Sequence, residues 1–298
     1  MKSAFILSFC LSMFSLVRPV MAEDAVKTVA QQPADPAKTC EESIDKTVRP
    51  ENRARLKAFC RRVSQLQNCN SVEGRAIQHV DFNSDRTDGK RVLVLGLIHG
   101  DEPLAGEMAL EWAERLFVLR ERKIEARNSW RVVPLLNPDG LERKTRMNAN
   151  GVDLNRNFPT KDWDQEAEAY WKKNGKSDPR RFPGIAGASE AETKCAIAQI
   201  KDFKPDFIVS VHTPYKVLDF DGPMMLFPKY KDLPWRALGN FPGSLGRYMW
   251  RDYQIPVLTV ELGLSMVDVA NLQDIVGTFA IDAARKSGQK TAGIFDHM

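Results

Sequence analysis

Three apolar runs, each ending on a titratable residue, constrain the fold of this chain most strongly. The runs RVLVLGLIH, DFIVSVH and IPVLTVE end at His99, His212 and Glu261. Apolar runs of this kind are typical of strands buried on both faces of a sheet. Segments with helical periodicity separate them, for example GEMALEWAERLFVLRER and SEAETKCAIAQIKDF. The alternation predicts a single α/β domain with a central mixed, largely parallel sheet flanked by helices.

The first 22 residues predict a secretory signal peptide. Lys2 provides a positive start, AFILSFCLSMFSLV is the apolar stretch, and the small-residue site VMA precedes Glu23. An inserted membrane anchor is the alternative, but the apolar stretch is shorter than the roughly 20 residues that a helical span needs. We therefore expect an exported, periplasmic protein without a stable membrane span.

Composition and charge narrow the class of protein further. Residues 23–38 are rich in Ala, Pro and Gln, which predicts a flexible leader, and 39–298 form the folded domain. The formal charge is +4, and Lys2 and Arg18 are the charged residues of the predicted signal peptide, so the mature chain carries about +2. So small a charge argues against a nucleic-acid partner.

Four cysteines remain after the predicted cleavage, and an even number in an exported protein favours disulfides. Cys60 and Cys69 are close in sequence, so the first hypothesis pairs Cys60 with Cys69 and Cys40 with Cys195. Four buried free thiols are the alternative. The chain has no C-x-x-C pair, which argues against a dithiol redox motif and a cysteine zinc cluster.

The residues at the strand ends suit a catalytic zinc site. Such a site takes three His or carboxylate ligands and leaves a fourth position for water. His99 and Glu102 are three residues apart on the turn after one strand, and His212 ends another. Glu261 is then the candidate base that takes a proton from the attacking water. The alternative on spacing alone is that His99 and His212 are structural, as we expect for His79 on its alternating strand.

Several motifs in a fixed order add a resemblance to a known family. In chain order they are NSVEGRAI, HGDE, NPDG, RMNANGVDLNRNFP, SEAET, SVHTPY and TVELG. Over roughly residues 65–285 the chain resembles the zinc carboxypeptidases of the carboxypeptidase A-like superfamily. HGDE, NANGVDLNRNFP and HTPYKVLDFDGP resemble most the murein peptide amidase A branch of that family. The resemblance implies a zinc carboxypeptidase-like fold for 39–298.

The resemblance also implies roles for individual residues and a substrate. One Zn²⁺ per chain would be held by His99, Glu102 and His212, with Glu261 as the general base. The other implied residues are Arg146, which stabilises the oxyanion (Arg143 is the alternative), and Asn155 and Arg156, which hold the substrate's free carboxylate. The implied reaction is hydrolysis of the γ-D-glutamyl–meso-diaminopimelate bond in peptidoglycan peptides or muropeptides.

Two departures from the family pattern leave alternatives open. Asp101 stands where digestive members have a cation, so it would favour an amine-bearing substrate or serve only to support the metal site. No tyrosine matches the mobile-loop tyrosine of those members. The alternative functions are a general zinc carboxypeptidase, an N-acyl amino acid deacylase, and a non-catalytic wall-binding protein. The last of these would be expected to have lost a ligand or the base.

Overall fold

A mixed six-stranded sheet organises the folded part of the chain. The computed structural model describes residues 35–288 and 294–298, so the predicted signal peptide and most of the predicted leader lie outside the described residues. The strand order is β1-β3-β2-β4-β6-β5. The four central strands are mutually parallel, and the edge strands β1 and β5 pair antiparallel with β3 and β6. The predicted mixed, largely parallel sheet is confirmed.

Strands and helices alternate along most of the chain. The strands are β1 (Val80–Phe82), β2 (Arg91–Leu95), β3 (Ser129–Val133), β4 (Phe207–His212), β5 (Val217–Asp221) and β6 (Val257–Glu261). The helices are α1 (Pro36–Thr47), α2 (Pro50–Lys57), α3 (Pro103–Glu121), α4 (Pro138–Arg143), α5 (Trp163–Lys173), α6 (Ala191–Phe203) and α7 (Val269–Lys286). A π-helical turn spans Arg247–Asp252, and short 3-10 turns include Cys60–Arg62, Leu154–Arg156 and Pro179–Arg181.

The central strands are buried on both faces, which explains why they are apolar throughout. Successive side chains of a strand point to opposite faces. In β2, Val92 and Val94 therefore pack into a core with α3 and α7, whereas Leu93 and Leu95 pack into a second core with α6. Burial of a side chain of this size contributes about 1.5–3 kcal/mol. Helices consequently cover the sheet on both sides, and only its edges are open to solvent.

The first helix begins at Pro36, three residues before the predicted start of the folded domain. Its N-cap is Asp35, whose carboxylate accepts the N–H of Ala37 at 3.0 Å. Pro50 begins α2, and Val48 and Arg49 separate it from α1. Within the described ranges, the structure has no helix that is both long and apolar enough to cross a membrane.

Two disulfides form, but the predicted pairing is wrong. Cys40 pairs with Cys60 across a Cα–Cα distance of 5.5 Å, and Cys69 pairs with Cys195 across 4.8 Å. The first pair belongs to the core on the α3 and α7 side of the sheet, and the second pair belongs to the core on the α6 side. Because the segment after Cys60 leads to the other face, proximity in sequence between Cys60 and Cys69 is not proximity in space.

Candidate metal centre and catalytic cleft

The three predicted strand ends meet at one edge of the sheet. β2, β4 and β6 are neighbouring parallel strands, so their carboxyl ends lie together. β4 ends at His212 and β6 ends at Glu261, and the register places these two residues opposite each other. The chain leaves β2 at Leu95 and reaches His99 in the following turn. The carboxyl edge of a parallel sheet is the usual position of a ligand site in such folds.

The turn that carries His99 and Glu102 is packed against the loop that precedes Arg146. A Cβ atom on Gly100 would lie 2.0 Å from the carbonyl carbon of Gly140, so the turn requires glycine at this position. The N–H of Gly100 also donates to the carbonyl oxygen of Arg146 at 3.3 Å. Glu102 immediately precedes α3 and donates its own N–H to the carbonyl oxygen of His99 at 3.2 Å. The turn therefore presents both side chains to the same point.

His99, Glu102 and His212 converge with spacings that suit a zinc ion. All three are buried, and His99 Nδ1 lies 2.8 Å from Glu102 Oε1. His212 Nδ1 lies 3.2 Å from Glu102 Oε2 and 3.2 Å from His99 Nδ1. Ligands around a tetrahedral zinc with bonds of about 2.0–2.1 Å are separated by about 3.3 Å. Among the described residues, this is the group of His, Cys, Asp and Glu side chains arranged to hold a metal.

The outer partners of the two imidazoles fix which nitrogen faces the centre. His99 Nε2 lies 3.3 Å from Asp153 Oδ1, and His212 Nε2 lies 2.8 Å from Ser210 Oγ. A neutral ring with its proton on Nε2 has a free lone pair on Nδ1. Two such lone pairs and the Glu102 carboxylate then face one another. This donor set fits a divalent cation of the zinc type.

The electrostatics of the cluster favour a positive charge at its centre. Burial lowers the pKa of the His99 ring, and Arg146 acts in the same direction. The carboxylates of Glu102 and Asp153 outweigh both, so the net shift of the His99 pKa is upward. Burial raises the pKa of the Glu102 carboxyl, but His99 and His212 outweigh it and the net shift is downward. Glu102 is consequently ionised, as a metal ligand must be.

Glu261 lies beside the three ligands without belonging to them. Its side chain lines the cleft, is 7% exposed, and accepts the N–H of Tyr215 on Oε2 at 3.3 Å. Burial raises the pKa of the Glu261 carboxyl, and the nearby Glu102 acts in the same direction against His212. A carboxylate whose pKa is raised by burial accepts a proton more readily, which suits the predicted general base.

Arg146 is held by Asp153, a residue whose role was not evident from the sequence. Arg146 Nε donates to Asp153 Oδ2 at 2.9 Å, while Asp153 Oδ1 faces the ring of His99. The pKa of the Asp153 carboxyl is lowered because Arg146 and His99 outweigh its burial. The alternative Arg143 donates to Glu73 and to the carbonyl oxygen of Ala149 and does not line the cleft. The geometry therefore favours Arg146.

Asn155 and Arg156 lie in the same cleft, whose volume is about 650 Å³. Arg156 packs over the ring of Phe241, with 4.5 Å between the guanidinium carbon and the ring centroid. Its Nη1 donates to the carbonyl oxygen of Asn155 at 2.6 Å, it forms no ion pair with any described residue, and burial lowers the pKa of its guanidinium. Asn155 accepts the N–H of Leu245 on Oδ1 at 2.9 Å, which leaves its Nδ2 group available to a ligand. A half-buried guanidinium without an ion-pair partner favours an anionic ligand such as a carboxylate.

Asp101, whose role the sequence left open, is an ion-pair partner of an arginine. Its Oδ2 accepts Arg180 Nη2 at 2.7 Å, and both residues line the cleft. Arg180 follows α5 in a 3-10 turn, and no sequence pattern links that turn to Asp101. The pair therefore places a guanidinium beside Asp101 in the lining of the cleft.

Two tyrosines and His79 were the other titratable residues considered, and only one of them lines the cleft. Tyr215 lines the cleft and is 65% exposed, whereas Tyr248 is buried against Phe158. His79 lies outside the cleft, and its Nδ1 faces the amide of Gln199 at 3.3 Å. Burial and Arg131 lower the pKa of His79 to about 4, so it is neutral at ordinary pH and structural, as expected.

A mixed sheet with a buried His-Glu-His cluster at its carboxyl edge has the donor set of a catalytic zinc site. Comparison with known families agrees, since the model of the zinc carboxypeptidase family, Peptidase M14, matches residues 54–221. That span is more than half of the chain, and the chain therefore belongs to the zinc carboxypeptidase family and is a hydrolase.

Individual relatives show which members of the family this chain is similar to. Murein peptide amidase A of Vibrio campbellii is 31% identical over 61% of this chain and 73% of its own length. Its namesake from Escherichia coli K12 is 35% identical over 43% of this chain, but the match spans only 50% of that relative. Among solved structures, murein-tripeptide amidase from Escherichia coli O157 aligns over 80% of this chain and 96% of its own, with a TM-score of 0.50 and 23% identity. Thrombin-activatable fibrinolysis inhibitor aligns with a TM-score of 0.60 at 14% identity, over 83% of this chain and 80% of its own.

Proposed function

We propose that this protein is a periplasmic zinc hydrolase that cleaves the γ-D-glutamyl–meso-diaminopimelate bond of peptidoglycan peptides, with one zinc ion per chain. The observation that carries the catalytic part is the convergence of His99 Nδ1, His212 Nδ1 and the Glu102 carboxylate beside the free carboxylate of Glu261. The substrate part is supported by the two relatives named murein peptide amidase A. The predicted signal peptide supports the periplasmic location.

The residues of the cleft have separate tasks in such a reaction. Zinc bound at this centre supplies Lewis acidity, which polarises the scissile carbonyl and acidifies a water molecule. Glu261 takes the proton from the attacking water and delivers it to the amine that leaves. Arg146 donates to the carbonyl oxygen as negative charge develops on it.

The carboxylate that Asn155 and Arg156 hold sets which bond is cut. A guanidinium and an amide bind the free carboxylate of the terminal residue, so the peptide bond that precedes this residue would lie at the centre formed by His99, Glu102 and His212. In a tripeptide L-Ala-γ-D-Glu-meso-diaminopimelate, the bond in this position is the γ-glutamyl amide. Its hydrolysis releases free diaminopimelate and the dipeptide L-Ala-D-Glu.

The test is incubation of the purified zinc-loaded protein with defined muropeptides, with products identified by mass. We expect release of diaminopimelate from the tripeptide and a higher kcat/KM than for the matched tripeptide ending in lysine. Amidation of the terminal carboxylate lowers kcat/KM about tenfold or more, because the charged contact with Arg156 is lost. The Arg143→Gln variant is the control. Arg143 lies outside the cleft, so amidation of the substrate should lower kcat/KM of this variant as much as that of the unaltered protein.

The competing functions give different products in the same experiment. A general carboxypeptidase releases ordinary C-terminal residues from unmodified peptides at comparable or higher rates. An N-acyl amino acid deacylase prefers simple acyl amino acids such as N-acetyl derivatives. Either outcome removes the murein assignment and leaves the zinc hydrolase in place. Absence of turnover on every substrate, with zinc bound, contradicts the catalytic assignment.

A further inference from the structure

Four stretches of the sequence motifs have no task in the reaction described above, and the structure brings them together. They are NSVEGRAI, NPDG, SEAET and the NANG part of RMNANGVDLNRNFP. Glu192 of SEAET accepts the N–H of Val72 on Oε1 at 3.1 Å and Asn148 Nδ2 on Oε2 at 2.9 Å. Asp139 of NPDG accepts the N–H of Glu73 at 2.9 Å. One hydrogen-bonded cluster therefore links all four stretches.

Asn148 closes the turn that joins Arg146 to Asp153. Its N–H donates to the carbonyl oxygen of Val152 at 3.0 Å, and its Oδ1 accepts the N–H of Val152 at 3.1 Å. Arg146 and Asp153 lie just outside this closure, two residues before Asn148 and one residue after Val152. Their side chains bond to each other, with 2.9 Å between Arg146 Nε and Asp153 Oδ2. The position of the Arg146 guanidinium therefore depends on how Asn148 is held.

Two buried glutamates hold the side-chain amide of Asn148. Its Nδ2 has two hydrogens, and it donates to Glu190 Oε2 at 2.7 Å and to Glu192 Oε2 at 2.9 Å. Glu190 is 4% exposed, Glu192 is 0% exposed and Asn148 is 2% exposed. Neither glutamate forms an ion pair with a described residue. Because all three side chains are buried, water does not readily replace a hydrogen bond that is lost here.

The two glutamates differ in how they would tolerate replacement by glutamine. Glu190 Oε1 accepts Ser189 Oγ at 2.6 Å, and a hydroxyl can donate or accept. Glu190→Gln can therefore keep its oxygen toward Asn148 and direct its NH₂ group at Ser189. Glu192 has a donor on each oxygen, the N–H of Val72 and Asn148 Nδ2. Glu192→Gln must place its NH₂ group against one of these donors, which leaves buried donors without an acceptor.

We propose that Glu192 is a positioning residue for the reaction: through Asn148 it sets the turn that aims the Arg146 guanidinium at the carbonyl oxygen of the substrate. Glu192 does not line the cleft, so it acts without touching the substrate. This inference rests on the proposed function for the role of Arg146, whereas the identity of the substrate does not enter it. A donor displaced by about 1 Å can lower the rate about 100-fold. Arg146 acts on charge that develops in the transition state, so the loss is expected in kcat.

The first test compares Glu192→Gln with Glu190→Gln in the zinc-loaded protein. The substrate is L-Ala-γ-D-Glu-meso-diaminopimelate, or hippuryl-L-lysine if the protein cleaves only ordinary peptides. For Glu192→Gln, kcat and kcat/KM should fall together about 10–100-fold at unchanged zinc content. KM should stay within about twofold, because Asn155 and Arg156 are held by other contacts. Glu190→Gln should lower kcat less than about threefold, since its hydrogen bonds can be kept. Equal losses in the two variants, or a change in KM alone, overturn the proposal.

The second test shows whether Glu192 acts through Arg146. In a double-mutant cycle, Glu192→Gln added to Arg146→Met should lower kcat less than about twofold further, because the group that it positions is already gone. Additive losses indicate a general structural effect and overturn the proposal. Asn148→Ala removes the other end of the same hydrogen bond and should reproduce the loss in kcat, and it replaces Glu192→Gln if that variant does not fold. Retained kcat in folded Asn148→Ala protein also overturns the proposal.

An NMR measurement separates failure of this proposal from failure of the proposed function. The Arg146 Nε–H signal, assigned by its absence in Arg146→Met, reports the hydrogen bond to Asp153 through its exchange with solvent. Exchange should be about tenfold faster or more in Glu192→Gln and unaltered in Glu190→Gln. Unchanged exchange in Glu192→Gln overturns the positioning role, whatever the substrate is. Faster exchange in a protein that turns over no substrate supports the positioning of Arg146 by Glu192 and contradicts the proposed function.

Discussion

At the scale of single residues, Asp153 connects two tasks that the sequence suggested separately. One carboxylate oxygen faces His99 Nε2 and the other accepts Arg146 Nε. The carboxylate therefore orients a metal ligand and the arginine that stabilises the oxyanion. We predict that Asp153→Ala weakens zinc binding about 10–100-fold, as is usual when the outer partner of a ligating histidine is removed.

The measurement is competition for zinc with a chelator of known affinity. Asp162→Ala is the matched control, since Asp162 also pairs with an arginine but lies outside the cleft. Equal zinc affinity in the Asp153→Ala variant and the unaltered protein would show that His99 needs no such partner.

Glu261 is predicted to act only in proton transfer. Glu261→Gln keeps the shape of the side chain and its contact with the Tyr215 N–H, but removes the basic oxygen. We expect zinc content to stay the same and kcat to fall about 10²–10⁴-fold or more. His99→Ala and His212→Ala are the comparison, because they should lose the metal itself. Near-normal turnover of Glu261→Gln would assign the base to another group.

The negative charge of Asp219 is unfavourable in the folded protein, and stability measurements at different pH should detect this. Its pKa is raised from 3.8 to about 6 by burial and by Asp221. A carboxyl group with a raised pKa contributes stability below its unfolded pKa and loses it as pH rises through the folded value. Asp219→Asn should therefore raise Tm at pH 7.5 relative to the unaltered protein. The gain should shrink between pH 6 and pH 4, and an increment that does not vary with pH would contradict this prediction.

The sequence was informative about residues at strand ends and less so about their partners. His99, His212 and Glu261 could be placed near one another because the carboxyl ends of parallel strands share an edge. The partnership of Asp101 with Arg180 depends on how the long segment after α5 folds back, and no local pattern contains that information. Asp153 lies within the motif GVDLNRNFP, which contributed to the family resemblance, but only the structure shows which atoms its carboxylate contacts.

At the scale of elements, the central strands were predictable and the edge strand β5 was not. β2, β4 and β6 are apolar because both faces are buried. β5 is an edge strand with two aspartates on its cleft face, and acidic residues there weaken the usual strand pattern. The two aspartates are therefore the reason that β5 was not predicted from the sequence.

Each disulfide belongs to a different core, and removal of each should lower the free energy of unfolding by a different amount. Cys40–Cys60 closes a loop of 20 residues, and Cys69–Cys195 closes one of 126. Loop-closure entropy gives about 3 kcal/mol for the shorter loop and about 5 kcal/mol for the longer. Non-reducing peptide mapping should find these two pairs, and the Cys69→Ala/Cys195→Ala variant should have the lower Tm of the two paired variants. Four alkylatable thiols in native exported protein would contradict both parts.

At the scale of the whole molecule, the predicted export signal and the proposed substrate support each other. Peptidoglycan peptides are accessible in the compartment to which a cleaved signal peptide directs a protein. We expect the full chain, expressed in a Gram-negative host, to appear in the periplasmic fraction with Glu23 as its first residue. N-terminal sequencing checks this. A version that begins at Glu23 is the control and should stay in the cytoplasm, and an unprocessed full chain in the membrane fraction would indicate an anchor instead.

The contact between Gly100 and Gly140 limits how this enzyme can be re-engineered. Because the backbone of Gly140 occupies the space that a side chain at position 100 would need, the HGDE turn and the NPDG segment fit only as a matched pair. A chimaera that takes its HGDE turn from one relative and its NPDG turn from another would combine surfaces that were not selected together. Donor segments for such chimaeras should therefore be exchanged as one unit spanning both turns, even though they lie about forty residues apart in the chain.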